Sequence, residues 1–229
     1  MTYPDFAIDR TLLAQARQVL QAYPRVYWLL GGAGAGKTTL CQTLAEQDEV
    51  LIYDMDAHIY GSYHARFTPT QHPVNAQWQA APNGLAWLLA MPWEVFKAFN
   101  QAALPEYLTL FGEDLAGYDP AIPLVVDGGL VNPALLAEAL PASHIICLTN
   151  PGMESATLWE GSEARLQMKA MVTQLEAPEN AWEKFLAFDA ALTANVNAEA
   201  QTAGIPICSR LEHPTVSALA ACVAAQWGW

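Results

Sequence analysis

Short apolar runs alternate with segments of helical spacing along most of this chain. The runs are rich in β-branched and aromatic residues, and strands that alternate with helices are typical of a parallel sheet covered on both faces. We therefore predict an α/β fold of three layers around a five-stranded parallel sheet. The predicted strands are residues 25–30, 50–53, 124–126, 143–148 and 205–208.

Two helices are predicted around the first strand. Apolar residues three and four positions apart predict a leading helix from Thr11 to Tyr23, and Pro24 ends it. A second helix is predicted over 38–47, directly after a glycine-rich turn. The order strand, glycine-rich turn, helix therefore opens the fold.

A long insertion is predicted between the second and third strands. About seventy residues separate these strands, which is long for a connection. The insertion begins with a turn-rich stretch over 68–84, and Pro92 and Pro105 are predicted to take first-turn positions of helices. Two or three apolar helices are predicted to follow, over residues 84–91, 92–103 and 105–111.

Composition and charge narrow the class of protein. The 229 residues are 53% hydrophobic, which supplies a sizeable core, and their formal net charge is -13. An acidic chain repels polyanions, so we expect neither a nucleic-acid partner nor a membrane partner. Four dispersed cysteines without a CxxC pair, and the absence of a signal peptide and of a membrane-length apolar stretch, predict a cytoplasmic protein. The oligomeric state stays open.

The glycine-rich turn has the pattern of a phosphate-binding loop. Gly31, Gly36, Lys37 and Thr38 match G-x-x-x-x-G-K-[ST]. Glycines let successive backbone N–H groups face a phosphate, and the helix start adds its positive end. The pattern predicts a nucleotide site in which Lys37 reaches the β- and γ-phosphates and Thr38 offers its hydroxyl to Mg²⁺. The other predicted nucleotide-binding residues of the loop are Gly34, Ala35 and Thr39.

Signals of several nucleotide-binding classes are missing from the sequence. There is no N-K-x-D tetrapeptide for guanine, no Glu directly after Asp127, no ABC-type signature, and Gly32 stands where one partner-switching class carries Lys. Of the nucleotide-binding classes considered, the one that remains is the kinases that transfer phosphate to a small molecule. In its favour, Asp54 and Asp56 follow the second strand two residues apart, and strand alternation would put both carboxylates on one side.

This D-x-D pair resembles that of the shikimate kinase and gluconate kinase group of P-loop kinases. The resemblance implies a P-loop NTPase fold in which Asp54 lies near the water shell of Mg²⁺ and Asp56 accepts the proton of the acceptor hydroxyl. Asp127, at the end of the third strand, is predicted to orient a Mg²⁺-bound water. In shikimate kinases, three consecutive glycines after the third strand let the substrate approach the backbone. By this resemblance, Gly128 and Gly129 correspond to the second and third of these glycines and are predicted to contact the substrate, while Asp127 stands at the position of the first.

Four further cations are candidates for the site. Arg165 and Lys169 lie four residues apart on one predicted helical face, within a candidate lid over 150–178, and Arg165 is predicted to stabilise the transferring phosphoryl group. Arg210 follows the fifth strand, where this kind of kinase often contacts adenine. Arg66 is predicted either to bind an anionic group of the acceptor or to form a structural ion pair.

Together these features predict a single P-loop kinase-like domain over 1–229, with an acceptor-binding helical insertion over 68–118. The predicted function is ATP- and Mg²⁺-dependent transfer of the γ-phosphoryl group to a small-molecule acceptor. Two alternatives stay open: a nucleoside or nucleotide kinase, and a nucleotide-sensing ATPase that acts on a protein partner. Aromatic residues of the insertion could stack on a flat ring but more often form core; they are Trp78, Trp87, Trp93, Phe96 and Phe99.

Overall fold

Five parallel strands form the sheet, as the apolar runs predict. The computed structural model describes residues 3–47, 50–152, 154–213 and 215–229. The strands are β1 (Val26–Gly31), β2 (Leu51–Asp54), β3 (Leu124–Asp127), β4 (Ile145–Thr149) and β5 (Ile207–Ser209). Their order across the sheet is β2-β3-β1-β4-β5, and every neighbouring pair is parallel. The central strand β1 is therefore flanked by β3 and β4.

Helices cover both faces of this sheet. The helices before the insertion are α1 (Arg10–Gln21), α2 (Lys37–Gln47) and α3 (Met55–Tyr60). Those of the insertion are α4 (Pro73–Gln79), α5 (Gly84–Ala90) and α6 (Trp93–Leu115). The remaining ones are α7 (Pro133–Leu136), α8 (Ser155–Trp159), α9 (Glu163–Thr173), α10 (Ala181–Thr202) and α11 (Val216–Trp227).

Two hydrophobic cores separate the three layers. One lies between the sheet and helices α1, α6 and α10, and it contains Trp28 and Val126 from the strands. The other lies between the opposite face of the sheet and helices α2 and α11, and it contains Leu29 and Val125. Adjacent strand residues point to opposite faces, so apolar side chains on both faces produce the continuous runs seen in the sequence. The predicted fold class is confirmed: a three-layer α/β fold with a helical insertion between the second and third strands.

The insertion differs from its prediction at Pro105. We expect Pro105 in the first turn of a helix, but α6 runs unbroken from Trp93 to Leu115 with Pro105 inside it. A proline inside a helix removes one backbone hydrogen bond, so packing must compensate. Pro105 is buried, as are its neighbours Leu104 and Glu106, and this burial holds the helix together across the proline.

The stretch expected to be turn-rich also contains a helix, α4. Its N-terminus lies against α6, where the carboxylate of Glu106 accepts the backbone N–H groups of Val74 (2.8 Å) and Asn75 (2.9 Å). The side-chain amide of Asn75 donates to the same carboxylate at 2.7 Å. A residue thirty positions along the chain thus caps this helix, which local sequence patterns cannot reveal.

The aromatic residues of the insertion lie in or against the core. Phe96 and Phe99 are buried, and the ring of Phe96 lies 4.7 Å from that of Phe188 on α10. Trp78 is buried as well, whereas Trp87 and Trp93 are half-buried and pack on the same cluster. None of the helices within the described residues has both the length and the apolar character that crossing a bilayer requires.

Candidate functional site

The carboxyl ends of the strands carry the predicted site residues. The turn after β1 leads into α2 on one face of the sheet, while the turn after the adjacent β3 leads towards α7 on the other face. Turns that leave neighbouring strands in opposite directions open a crevice at this edge, which is where α/β proteins bind ligands. The fold thus brings the glycine loop, the D-x-D pair and the end of β3 to one place.

The glycine loop spans the gap between β1 and α2. The carbonyl of Gly36 accepts the first helical hydrogen bond, from the N–H of Leu40 at 3.0 Å. The N–H groups of residues 37–39, in the first turn of α2, therefore have no acceptor within the helix and can bind an anion. The ammonium of Lys37 donates to the carbonyls of Gly31 (2.9 Å) and Gly32 (3.2 Å), so it lies folded over the loop.

A hydroxyl–carboxylate pair connects α2 with β3. The Thr38 hydroxyl donates to the Asp127 carboxylate at 2.7 Å. Asp127 is 5% exposed, and burial raises its pKa, although the Thr38 hydrogen bond and the Lys37 charge act in the opposite direction. Asp54 lies beside Asp127 in the register of β2 and β3. These oxygen atoms are the kind that Mg²⁺ binds in nucleotide sites.

The D-x-D pair is arranged differently from the prediction. Strand β2 ends at Asp54, whose carboxylate caps α3 by accepting the N–H of Ala57 at 2.9 Å. Asp56 lies in the first turn of α3, so the expectation of strand alternation through both carboxylates is wrong. Its carboxylate instead turns towards the glycines at the end of β3. The two carboxylates therefore have different environments.

Asp56 is close to both Lys37 and the turn after β3. A Cβ placed on Gly128 would stand 2.9 Å from Oδ2 of Asp56 and 3.1 Å from Cε of Lys37, so the three groups meet around one point. Asp56 retains contact with solvent at this edge. The crowded surroundings nevertheless raise the pKa of its carboxyl, with the Lys37 charge partly opposing that shift. A raised pKa makes a carboxylate a better proton acceptor.

Gly129 fixes the position of α3 relative to this turn. Its φ angle is +74°, in the left-handed region that favours glycine, and a Cβ there would overlap the side chain of Met55. Met55 is fully buried and directly precedes Asp56. The close approach of Gly129 to Met55 therefore determines where the Asp56 carboxylate lies.

The candidate lid contacts the glycine loop through an apolar side chain. A Cβ on Gly34, which has a φ angle of +71°, would collide with the Leu158 side chain of α8. Arg165 donates to the carbonyl of Leu158 at 2.9 Å. Lys169 pairs with Glu160 at 2.9 Å and lies 5.4 Å from the ring of Trp182. In this arrangement Arg165 and Lys169 both bind to residues of the candidate lid, not to the glycine loop.

Of the other predicted site residues, some lie at the glycine loop and one lies away from it. Ala35 is buried beneath the loop, and Thr39 is an exposed residue of the first turn of α2. Arg210 lies beside the loop, because a Cβ on Gly36 would stand 3.7 Å from its Nη1 atom. Arg66 instead forms ion pairs with Glu113 and Asp114 of α6, each at 2.7 Å.

Three residues at the loop were not predicted from the sequence. The Asn150 side chain, at the end of β4, donates to the carbonyl of Gly34 at 3.4 Å. Thr193 of α10 packs where a side chain on Gly32 would stand, and Leu158 covers Gly34. The position of Asn150 two residues after the predicted fourth strand could have indicated it. The other two residues lie on helices whose packing only the structure reveals.

The acids of this edge do not form a self-contained metal cage. Among the residues that the structure describes, no group of three His, Cys, Asp or Glu side chains is placed to hold a metal ion. Mg²⁺ commonly takes only one or two carboxylates and completes its shell with water and substrate phosphates. Thr38 and Asp127 are the residues that would hold a Mg²⁺ ion arriving with a nucleotide.

Comparison with known proteins gives information on the fold alone. No family model and no curated protein sequence matches the chain. Among solved structures, the chain is similar to TT1252 from Thermus thermophilus, with 15% sequence identity and a TM-score of 0.51. The match covers 89% of this chain and 98% of TT1252. The similarity therefore extends over nearly the whole α/β fold.

Proposed function

We propose that this protein is an ATP- and Mg²⁺-dependent phosphotransferase that moves the γ-phosphoryl group to a small-molecule acceptor. The observation that carries the proposal is the convergence of four groups at the start of α2. The Thr38 hydroxyl lies 2.7 Å from the Asp127 carboxylate, and the Asp56 carboxylate meets the Lys37 side chain beside Gly128. Anion-binding, cation-binding and proton-accepting groups are thus adjacent.

The glycine loop fits a polyphosphate by its chemistry. Its N–H groups in the first turn of α2 and the Lys37 ammonium would hold phosphate oxygens, and Arg210 is close enough to the loop to assist. The Lys37 ammonium now donates to two carbonyls and keeps a third N–H for a ligand. Bound ATP would supply the transferable phosphoryl group, and Mg²⁺ beside Thr38 and Asp127 would neutralise its charge.

Asp56 suits the role of proton acceptor. The atoms around Asp56 raise its pKa, which increases its basicity, while the Lys37 charge acts in the opposite direction. The acceptor hydroxyl would give its proton to Asp56 as its oxygen bonds to phosphorus, and the bond to the leaving oxygen of ADP would break. Arg165, held beside the loop through Leu158, is proposed to approach the phosphoryl group.

The Asp56→Asn variant tests this assignment. We expect its turnover to fall by about a hundredfold or more, because general-base catalysis contributes about 10²–10⁴, while its affinity for Mg-ATP changes little. Isothermal calorimetry and a steady-state assay of ADP release measure the two quantities. Asp119→Asn is the matched control, because Asp119 accepts the N–H of Ala121 in an exposed turn before β3. Near-normal turnover by Asp56→Asn would remove this residue from the mechanism.

A further inference from the structure

The charge of Arg66 is already neutralised within the protein. Its guanidinium donates to Asp114 and to Glu113 at 2.7 Å each, and it lies 5.2 Å from the ring of Tyr63. The carboxylates of Asp114 and Glu113 thus already accept the guanidinium N–H donors with which Arg66 would bind an anionic substrate. An anionic acceptor held by Arg66 would have to displace both of them.

Asp114 is itself fixed by a second set of contacts. The Tyr53 hydroxyl donates to it at 2.5 Å, and the hydroxyls of Tyr53 and Tyr63 lie 2.6 Å apart. Burial opposes ionisation of Asp114, but its hydrogen bonds with Tyr53 and Arg66 lower its pKa overall. The carboxylate therefore stays charged and keeps Arg66 in place. We interpret Arg66 as part of a structural network that joins the segment after α3 to α6.

The exposed face of α3 carries an aromatic ring next to the proton acceptor. Asp56 and Tyr60 lie four residues apart, so they share one side of this helix, while Met55 and Ile59 are buried on the other. Tyr60 is 68% exposed. Its ring leans edge-on against buried Trp78, with ring centres 5.7 Å apart.

Because Trp78 packs against it, the exposed ring of Tyr60 is held in place and can contact a ligand. Trp78 holds the ring from one side, and the other surface of Tyr60 remains open towards solvent. An exposed tyrosine hydroxyl, whose ordinary pKa is about 10, is neutral at physiological pH. A neutral aromatic face suits the flat or apolar face of a ring.

We propose that the acceptor is an uncharged alcohol that contains a ring. It lays one face of the ring on Tyr60 and presents its hydroxyl to Asp56, with no anionic group held by Arg66. This inference rests on the proposed phosphotransfer. In that step the acceptor oxygen bonds to the γ-phosphorus, its proton passes to Asp56, and the bond to the bridging oxygen breaks so that ADP leaves with the electron pair. Nucleosides, cyclic polyols and aryl alcohols share this chemistry, whereas sugar phosphates, nucleotides and hydroxy acids do not.

The test compares matched acceptors and matched variants. Each neutral ring alcohol is assayed beside its phosphorylated or carboxylated counterpart, with saturating Mg-ATP and with ADP release as the readout. Comparing turnover with nucleosides, cyclic polyols and aryl alcohols shows which kind of ring the site accepts. The variants are Tyr60→Ala, Tyr60→Phe, which retains the ring, and Arg66→Lys, which retains the charge. Thermal melting of each variant checks that it is folded.

We expect turnover to be stimulated by neutral members of the set and not by their anionic counterparts. Tyr60→Ala should raise the KM for the acceptor about tenfold without changing the KM for ATP, and Tyr60→Phe should resemble the wild type. Arg66→Lys should lower the melting temperature and leave the acceptor KM unchanged. Preference for anionic acceptors, or an acceptor KM that Tyr60→Ala leaves unchanged, would overturn the inference while phosphotransfer stands. ADP release that no acceptor stimulates would refute the proposed phosphotransfer itself.

Discussion

Gly129→Ala is the substitution whose effect the structure defines best. The substitution should destabilise the folded protein in two separate ways. A non-glycine residue in the left-handed region costs about 1–2 kcal/mol, and overpacking of a filled core costs about 1–3 kcal/mol. The new Cβ would stand only 2.5 Å from Cβ of Met55, whose side chain is fully buried and cannot move aside freely. We therefore expect a loss of about 2–5 kcal/mol in the free energy of unfolding.

Gly204→Ala separates the two contributions. Gly204 has a similar φ angle, +67°, but a Cβ there would meet nothing within 4 Å, so this variant carries only the backbone cost. Urea denaturation of both variants should show Gly129→Ala to be less stable by a further 1–3 kcal/mol or so. Displacement of Met55 should also move Asp56, so turnover should fall more than Mg-ATP affinity. Equal destabilisation by the two variants would refute the packing of Met55 against Gly129.

The remaining predictions concern pH and a buried carboxylate. Because the surrounding protein atoms raise the pKa of Asp56 above the ordinary aspartate value of 3.8, turnover should fall on acidification at a pH above that value, and a pH–rate profile measures it. In linkage terms, the folded state keeps a proton on the buried Asp127 that the unfolded state has released, so the contribution of Asp127 to stability falls as pH rises through its raised pKa. Asp127→Asn should therefore melt higher than the wild type at neutral pH and no higher at pH 3; a lower melting point at pH 7 would contradict this sign. Glu106→Ala should cost about 3 kcal/mol in urea denaturation, because it strands the N–H groups of Val74 and Asn75; a loss below about 1 kcal/mol would contradict the capping role.

The sheet could be predicted from the sequence because its strands are short apolar runs, most of which have glycine or proline close to one end. Residues 124–127 illustrate this, since every side chain from Leu124 to Asp127 is buried. The insertion was harder to predict. Pro105 normally marks a helix start, yet the packing around it and the Glu106 contacts with α4 keep α6 continuous. Such long-range contacts override local propensity and leave no trace in a window of sequence.

The site could be predicted where its residues directly follow strands. Motif spacing and strand ends placed Thr38 and Asp127 separately at a Mg²⁺ ion, and the structure brings these two residues within hydrogen-bond distance. The orientation of Asp56 could not be predicted, because the chain changes from strand to helix between the two aspartates. The exposed ring of Tyr60 beside Asp56 was equally hidden, because a six-residue helix has too short a pattern to show which face is open.

Calorimetric titration of Mg-ATP into the folded protein is the most direct test of the central claim that the loop after β1 binds a nucleotide triphosphate. The account predicts a single site whose affinity falls when Mg²⁺ is chelated and is lost in Lys37→Ala, with circular dichroism showing that this variant remains folded. Absence of binding to the folded wild-type protein, or binding that Lys37→Ala leaves unchanged, would contradict the account.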